Sequence, residues 1–106
     1  MLECIRRIEE HRQAGRTRFL ETHTLQDAVL RNLQTMAEST QKLSAASKAL
    51  HPHIPWSEIS GFRNVLVHDY LGLDLEIIWG IMNTEVPELK SAVQQLLATL
   101  PSSPST

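Results

Sequence analysis

Apolar residues recur along most of this chain at intervals of three and four, the spacing that lines one face of an α-helix. Leu2, Ile5 and Ile8, with charges between them, predict a short amphipathic helix over residues 2–13, ended by Gly15. From Thr24 to Leu50 the period is carried by Leu25, Ala28, Val29, Leu33, Met36, Ala37, Thr40, Leu43 and Leu50, with no glycine or proline. That run predicts one long helix, capped by Thr22 or Thr24 and ended by His51-Pro52. HPHIP reads as a proline-stiffened loop. Trp56, Ile59, Phe62, Leu66 and Val67 predict a third helix from about Trp56 to Tyr70, with Ser57 as its N-cap. Gly72 breaks it, and Asp74 caps a fourth helix, LEIIWGIMN. Thr84 and Pro87 suit the start of a fifth, in which Leu89, Val93, Leu96, Leu97 and Leu100 keep the period. No segment alternates as a strand does, and no internal repeat is visible. The expected architecture is an all-α, up-and-down bundle of four to five helices over residues 1–100, followed by a disordered polar tail, PSSPST, over 101–106.

Composition narrows the picture in three places. A chain of 106 residues builds a single core. Four of its five prolines lie in residues 51–55 or beyond residue 100, leaving only Pro87 inside a predicted helix. The single cysteine, Cys4, excludes an internal disulfide and a cysteine-built zinc site. The N-terminus has no secretory pattern, and no apolar run approaches a membrane span, so a cytoplasmic location without membrane attachment is expected.

The net charge of −2 carries no global signal for nucleic acid, but its distribution is uneven. Arg6, Arg7, Arg12, Arg16 and Arg18 stand against Glu9 and Glu10, a local excess of +3. They read first as a solvated helix face, and functionally as a phosphate-contacting patch. Asp27 and Arg31, one helical turn apart, suggest a surface salt bridge, with a supporting role beside a functional cleft as the alternative. His51 and His53 lack a cysteine or nearby carboxylate to complete a metal site and read as loop residues. Trp56 and Trp79 occupy apolar helical positions and read as core.

One stretch departs from scaffold. GFRNVLVHDY, residues 61–70, sets Arg63, Asn64, His68 and Tyr70 into an apolar segment. On an ideal helix Arg63 and Tyr70 lie within about 20° of each other, and Asn64 and His68 form an i,i+4 pair. Arg63 and His68 are separated by about 140°, awkward for one compact site. A long arginine reaching round, an unwound helix end or a second copy of the chain would reconcile them; the second copy, in a symmetric homodimer, suits so small a bundle best. Chemically, an arginine and a histidine suffice for RNA cleavage without a metal ion. Imidazole titrates near neutrality and can move a proton to or from ribose and leaving oxygens. Guanidinium holds a phosphate and offsets its growing charge. Asn64 could fix the imidazole ring orientation or the phosphate through its amide. By spacing alone, Arg-x4-His has a structural role more often than a catalytic one.

The combination of RNVLVHDY with QDAVLRNL and IPWSEISGFRN resembles the HEPN superfamily, and within it the HepT-like toxins that pair with a minimal nucleotidyltransferase antitoxin. The resemblance covers nearly the whole chain and implies a homodimeric ribonuclease toxin of a toxin–antitoxin system. It implies that Arg63 and His68 are the catalytic pair, supported by Asn64, acting on transfer or messenger RNA without a cofactor or metal. It further implies that Tyr70 is the site at which the antitoxin attaches AMP, placing a bulky anion beside the arginine. A larger toxin–antitoxin assembly is compatible with this. A reading from a different class is a catalytically silent helical adaptor that serves a nucleotidyltransferase, since one fold can host both.

Overall fold

The computed structural model describes residues 1–68 and 72–99. Among these residues the chain forms seven helices: α1 (Leu2–Arg12), α2 (Arg16–Glu21), α3 (His23–Thr40), α4 (Ala45–Ala49), α5 (Trp56–His68), α6 (Leu75–Asn83) and α7 (Glu85–Thr99). The all-α bundle is as expected, with two short helices, α2 and α4, added to the five long ones. Tyr70, Leu100 and the 101–106 tail lie outside the described residues.

The two additions have local causes. Gly15 adopts φ 95° and ψ 158°, backbone open to glycine alone, and so turns the chain sharply after α1. Only six residues follow in α2, too few for a hydrophobic period to show, yet they carry Phe19 into the core with no exposure. Its ring packs against Trp79 with centroids 5.8 Å apart. The Gln26 side-chain amide donates to the Phe19 and Leu20 carbonyls at 3.0 and 3.1 Å, satisfying acceptors at the C-terminal end of α2.

The single helix expected from Thr24 to Leu50 is interrupted at residues 41–44. Thr35, Ser39 and Thr40 bond their hydroxyls back to the carbonyls of Arg31, Thr35 and Ala37. Such back-bonding competes with the helical ladder. The last amides then bond i→i+3, Lys42 to Ser39 and Leu43 to Thr40, tightening the final turn. Ser44 starts α4 by accepting the Ser47 amide at 3.0 Å. Thr22 occupies the N-cap position of α3 without a side-chain cap bond. Ser57 lies inside α5 instead of capping it, because the helix already begins at Trp56 behind Pro55. Asp74 caps α6 as expected, accepting the Glu76 amide at 2.9 Å.

The core collects Ile5, Ile8, Phe19, Val29, Leu33, Leu66, Ile78, Met82 and Val86, all at most 2% exposed. Trp56 and Trp79 pack against it, half-buried. Helix α3 is the central element, packing most heavily against α1 on one side and α5 on the other. Leu50 and Leu97, both expected in the core, are 64% and 51% exposed. They line a shallow apolar groove between α4 and α7 that the break at residues 41–44 opens.

Candidate functional site

The polar motif is held on α5 by its two ends. At the start, the Trp56 indole N–H donates to the carbonyls of Lys48 and His51 at 3.0 and 3.1 Å, tying the 51–55 loop to the first turn. Towards the end, Leu66 is 2% exposed and anchors the helix in the core. Those anchors leave Arg63 half-buried at the boundary with α3, and Asn64, Val67 and His68 exposed.

Arg63 meets a partner that reading the sequence did not identify. Its Nε and Nη2 donate to one carboxylate oxygen of Glu38, Oε2, at 3.2 and 3.0 Å. Its Nη1 donates to the Asn64 side-chain oxygen at 3.2 Å. The Gln34 amide reaches the same Glu38 oxygen at 3.5 Å. The Arg63 guanidinium, and after it the Gln34 amide, hold the Glu38 carboxyl below the usual carboxylate range. Glu38 and Arg63 are 25 residues apart, so no local pattern pairs them. A weaker signal was present: Asp27, Arg31, Gln34 and Glu38 fall within an arc of about 60° on α3, a polar stripe on a helix otherwise rich in buried residues.

The structure brings Arg63 and Asn64 together but does not join His68 to them. His68 is the last described residue of α5, exposed, and among the described residues no hydrogen bond links it to Arg63. Helix α5 stays helical through His68, so the arginine and histidine keep the wide angular separation expected of them within one protomer. Tyr70 lies outside the described residues. Asp27 and Arg31 are exposed on the stripe that ends at Glu38, about 16 and 10 Å from it along the axis.

Other candidate sites resolve into structure. Arg6 bonds Glu3 at 2.7 Å and Glu10 at 3.2 Å, Arg7 bonds Glu3 at 3.0 Å, and Arg16 pairs with Glu76. Arg6 and Arg7 together pull the Glu3 carboxyl down to about 2. Three of the five N-terminal arginines are thus spent on carboxylates, which favours a solvated face over a phosphate patch. His51 is 8% exposed, and its ring meets His53 edge-on at 5.8 Å, inside the loop that Trp56 closes. Among the described residues no group of three or more histidine, cysteine or carboxylate side chains could hold a metal ion. No helix among them is long and apolar enough to cross a membrane. A cavity of about 200 Å³ beside α5 is lined by Met36, Ile59, Phe62 and Leu89, with Glu58 and Glu85 as its only charges among the described residues, a poor setting for phosphate.

Comparison with known proteins gives this geometry its context. A relative from Thermococcus cleftensis, named "Probable ribonuclease HepT", is 35% identical over 89% of this chain and 86% of its own length. One from Caldanaerobacter subterraneus subsp. tengcongensis, named "Putative RNase", is 33% identical over 90% of this chain and 85% of its own. A third, from Methanocaldococcus jannaschii, is named for a gamma-glutamylcyclotransferase and a putative RNase together. It is 31% identical over 94% of this chain, which spans only 46% of that longer protein. No solved structure matches. The family described as ribonuclease HepT-like matches residues 1–96, and the chain belongs to that family.

Proposed function

We propose that the protein is a metal-independent endoribonuclease, the toxin of a HEPN-type toxin–antitoxin pair, acting in the cytoplasm as a homodimer on transfer or messenger RNA. The observation that carries this reading is the Arg63 guanidinium, fixed by Glu38 and Asn64 on the same helix as an exposed His68, in a chain of ribonuclease family. In the reaction, the ribose 2′-oxygen forms a bond to phosphorus, and the bond to the 5′-oxygen breaks. A neutral imidazole takes the 2′-hydroxyl proton, and a protonated one gives a proton to the departing 5′-oxygen. The products are a 2′,3′-cyclic phosphate and a free 5′-hydroxyl. Arg63 binds the phosphate and stabilises the charge that builds on its oxygens. Each protomer supplies one His68; facing the Arg63 of the other copy across a shared cleft, a single imidazole would take the first proton and, once protonated, give one to the leaving oxygen.

Control is placed at Tyr70, on the strength of its position in the RNVLVHDY motif. A partner nucleotidyltransferase would join the tyrosine oxygen to the α-phosphorus of ATP, releasing pyrophosphate and the phenolic proton. The attached adenylate would add negative charge next to an arginine meant for RNA phosphate.

Inducible expression of wild type, Arg63→Ala and His68→Ala, with cellular RNA sequenced at its new ends, tests the reading. Cyclic phosphate ends and growth arrest are expected in wild type alone. Equal growth and intact RNA in all three strains would instead support the adaptor. Mass spectrometry of the toxin made with its partner should show added adenylate on wild type and none on Tyr70→Phe.

A further inference from the structure

We propose that Glu38 is a positioning residue, whose carboxylate acts with the Asn64 amide to hold the Arg63 guanidinium so that its unused N–H groups face the scissile phosphate. The inference rests on the reading of Arg63 as the phosphate-binding group, and its geometric half can be tested without that reading.

A guanidinium carries five N–H donors: one on Nε and two on each terminal nitrogen. Glu38 takes the Nε donor and one from Nη2, and Asn64 takes one from Nη1. Two donors remain, one on each terminal nitrogen. Donors on the two terminal nitrogens form the fork by which arginine binds two oxygens of a phosphate at once. The carboxylate and the amide thus occupy the donors a phosphate does not need and block the rotations that would turn the fork away.

Glu38 is itself restrained. It stands on α3, the central helix, and Gln34 from one turn earlier bonds the oxygen that Arg63 uses. The side chains of Glu38 and Arg63 are 37% and 30% exposed, so water competes only in part. Because Glu38 accepts both arginine donors on Oε2, an alternative outcome is well defined: a carboxylate that merely masks Arg63 would lower activity, and its removal would raise it.

The experiment compares the purified full-length chain with Glu38→Gln and Glu38→Ala. Each is assayed for RNA cleavage and for order of the Arg63 Nε–H group by 15N relaxation, with the thermal midpoint as a control. For Glu38→Ala, kcat is expected to fall about 100-fold, as for a misplacement of about 1 Å, with a smaller change in KM. Glu38→Gln, which keeps an acceptor oxygen in the same place, is expected to fall between it and wild type. In both variants the Arg63 Nε–H signal should gain mobility in the same rank order. If Glu38→Ala fails to fold, the near-isosteric glutamine carries the comparison. Unchanged kcat, increased activity, or an Arg63 signal as ordered as in wild type would each overturn the proposal. A wild-type protein that cleaves no RNA, but whose Arg63 loosens when Glu38 is replaced, would refute the enzymatic reading and keep the positioning role.

Discussion

At the scale of single residues, Glu38 and Arg63 make the pH dependence of the site predictable in sign. The Arg63 guanidinium depresses the folded-state pKa of Glu38 below its value in the unfolded chain, about 4.3 for glutamate. The pair's stabilisation is therefore fully present above that unfolded value. It disappears as the pH falls through the lower, folded one. Melting curves of wild type and Glu38→Gln should accordingly differ at neutral pH and converge in acid; a constant gap at every pH would show that the pair contributes nothing. The neighbouring apolar positions separate by burial. Leu66→Ala, at a site 2% exposed, should cost about 2–5 kcal/mol in urea unfolding. Val67→Ala, at a site 38% exposed, should stay within about 0.5 kcal/mol in the isolated protomer.

At the scale of elements, helix boundaries follow from a few residues with specific backbone roles. Asp74 stops one chain direction and starts another because its side chain satisfies an amide that α6 leaves open. Gly15 permits the turn into α2. Gly15→Ala leaves its new Cβ with nothing within 4 Å, so any cost is in the backbone, not in packing. With φ at 95° that cost should be about 1–3 kcal/mol, read as a lowered melting midpoint with the helical signal retained. Helices α1, α5 and α7 were legible from periodicity because each carries several apolar residues on one face, and α6 from the Gly72 break and the Asp74 cap before its apolar run. Helix α2 was not, since six residues give the period fewer than two turns. The stop at Thr40 was also hidden: Leu43 and Leu50 continue an apolar rhythm, while the Ser and Thr hydroxyls that break the ladder leave no mark on it.

At the scale of the whole molecule, the bundle measures 46 × 25 × 23 Å among its described residues and presents Arg63 and His68 on different faces of one helix. The proposed shared cleft joins an arginine of one copy to a histidine of the other. Mixing inactive Arg63→Ala with inactive His68→Ala protein, after partial unfolding to exchange protomers, should then restore part of the RNA cleavage. Native mass spectrometry, which resolves the two subunit masses, should show the mixed dimers. If dimers form and the mixture stays inactive, each copy works alone.

The residue types of the candidate site were legible in the sequence, because RNVLVHDY sets a cation, an amide, an imidazole and a phenol into an apolar stretch. So was the helical class, because the spacing of apolar side chains is a property of each segment by itself. Which carboxylate restrains Arg63 was not. Glu38 and Arg63 lie on separate helices, and their meeting depends on how α3 and α5 rotate and slide when both bury their apolar faces. Likewise Phe19 had no neighbours to mark it as core until α2 folded back over Trp79. Local spacing dictates what each helix is; the joint packing of several helices decides which of their polar side chains come within reach of one another.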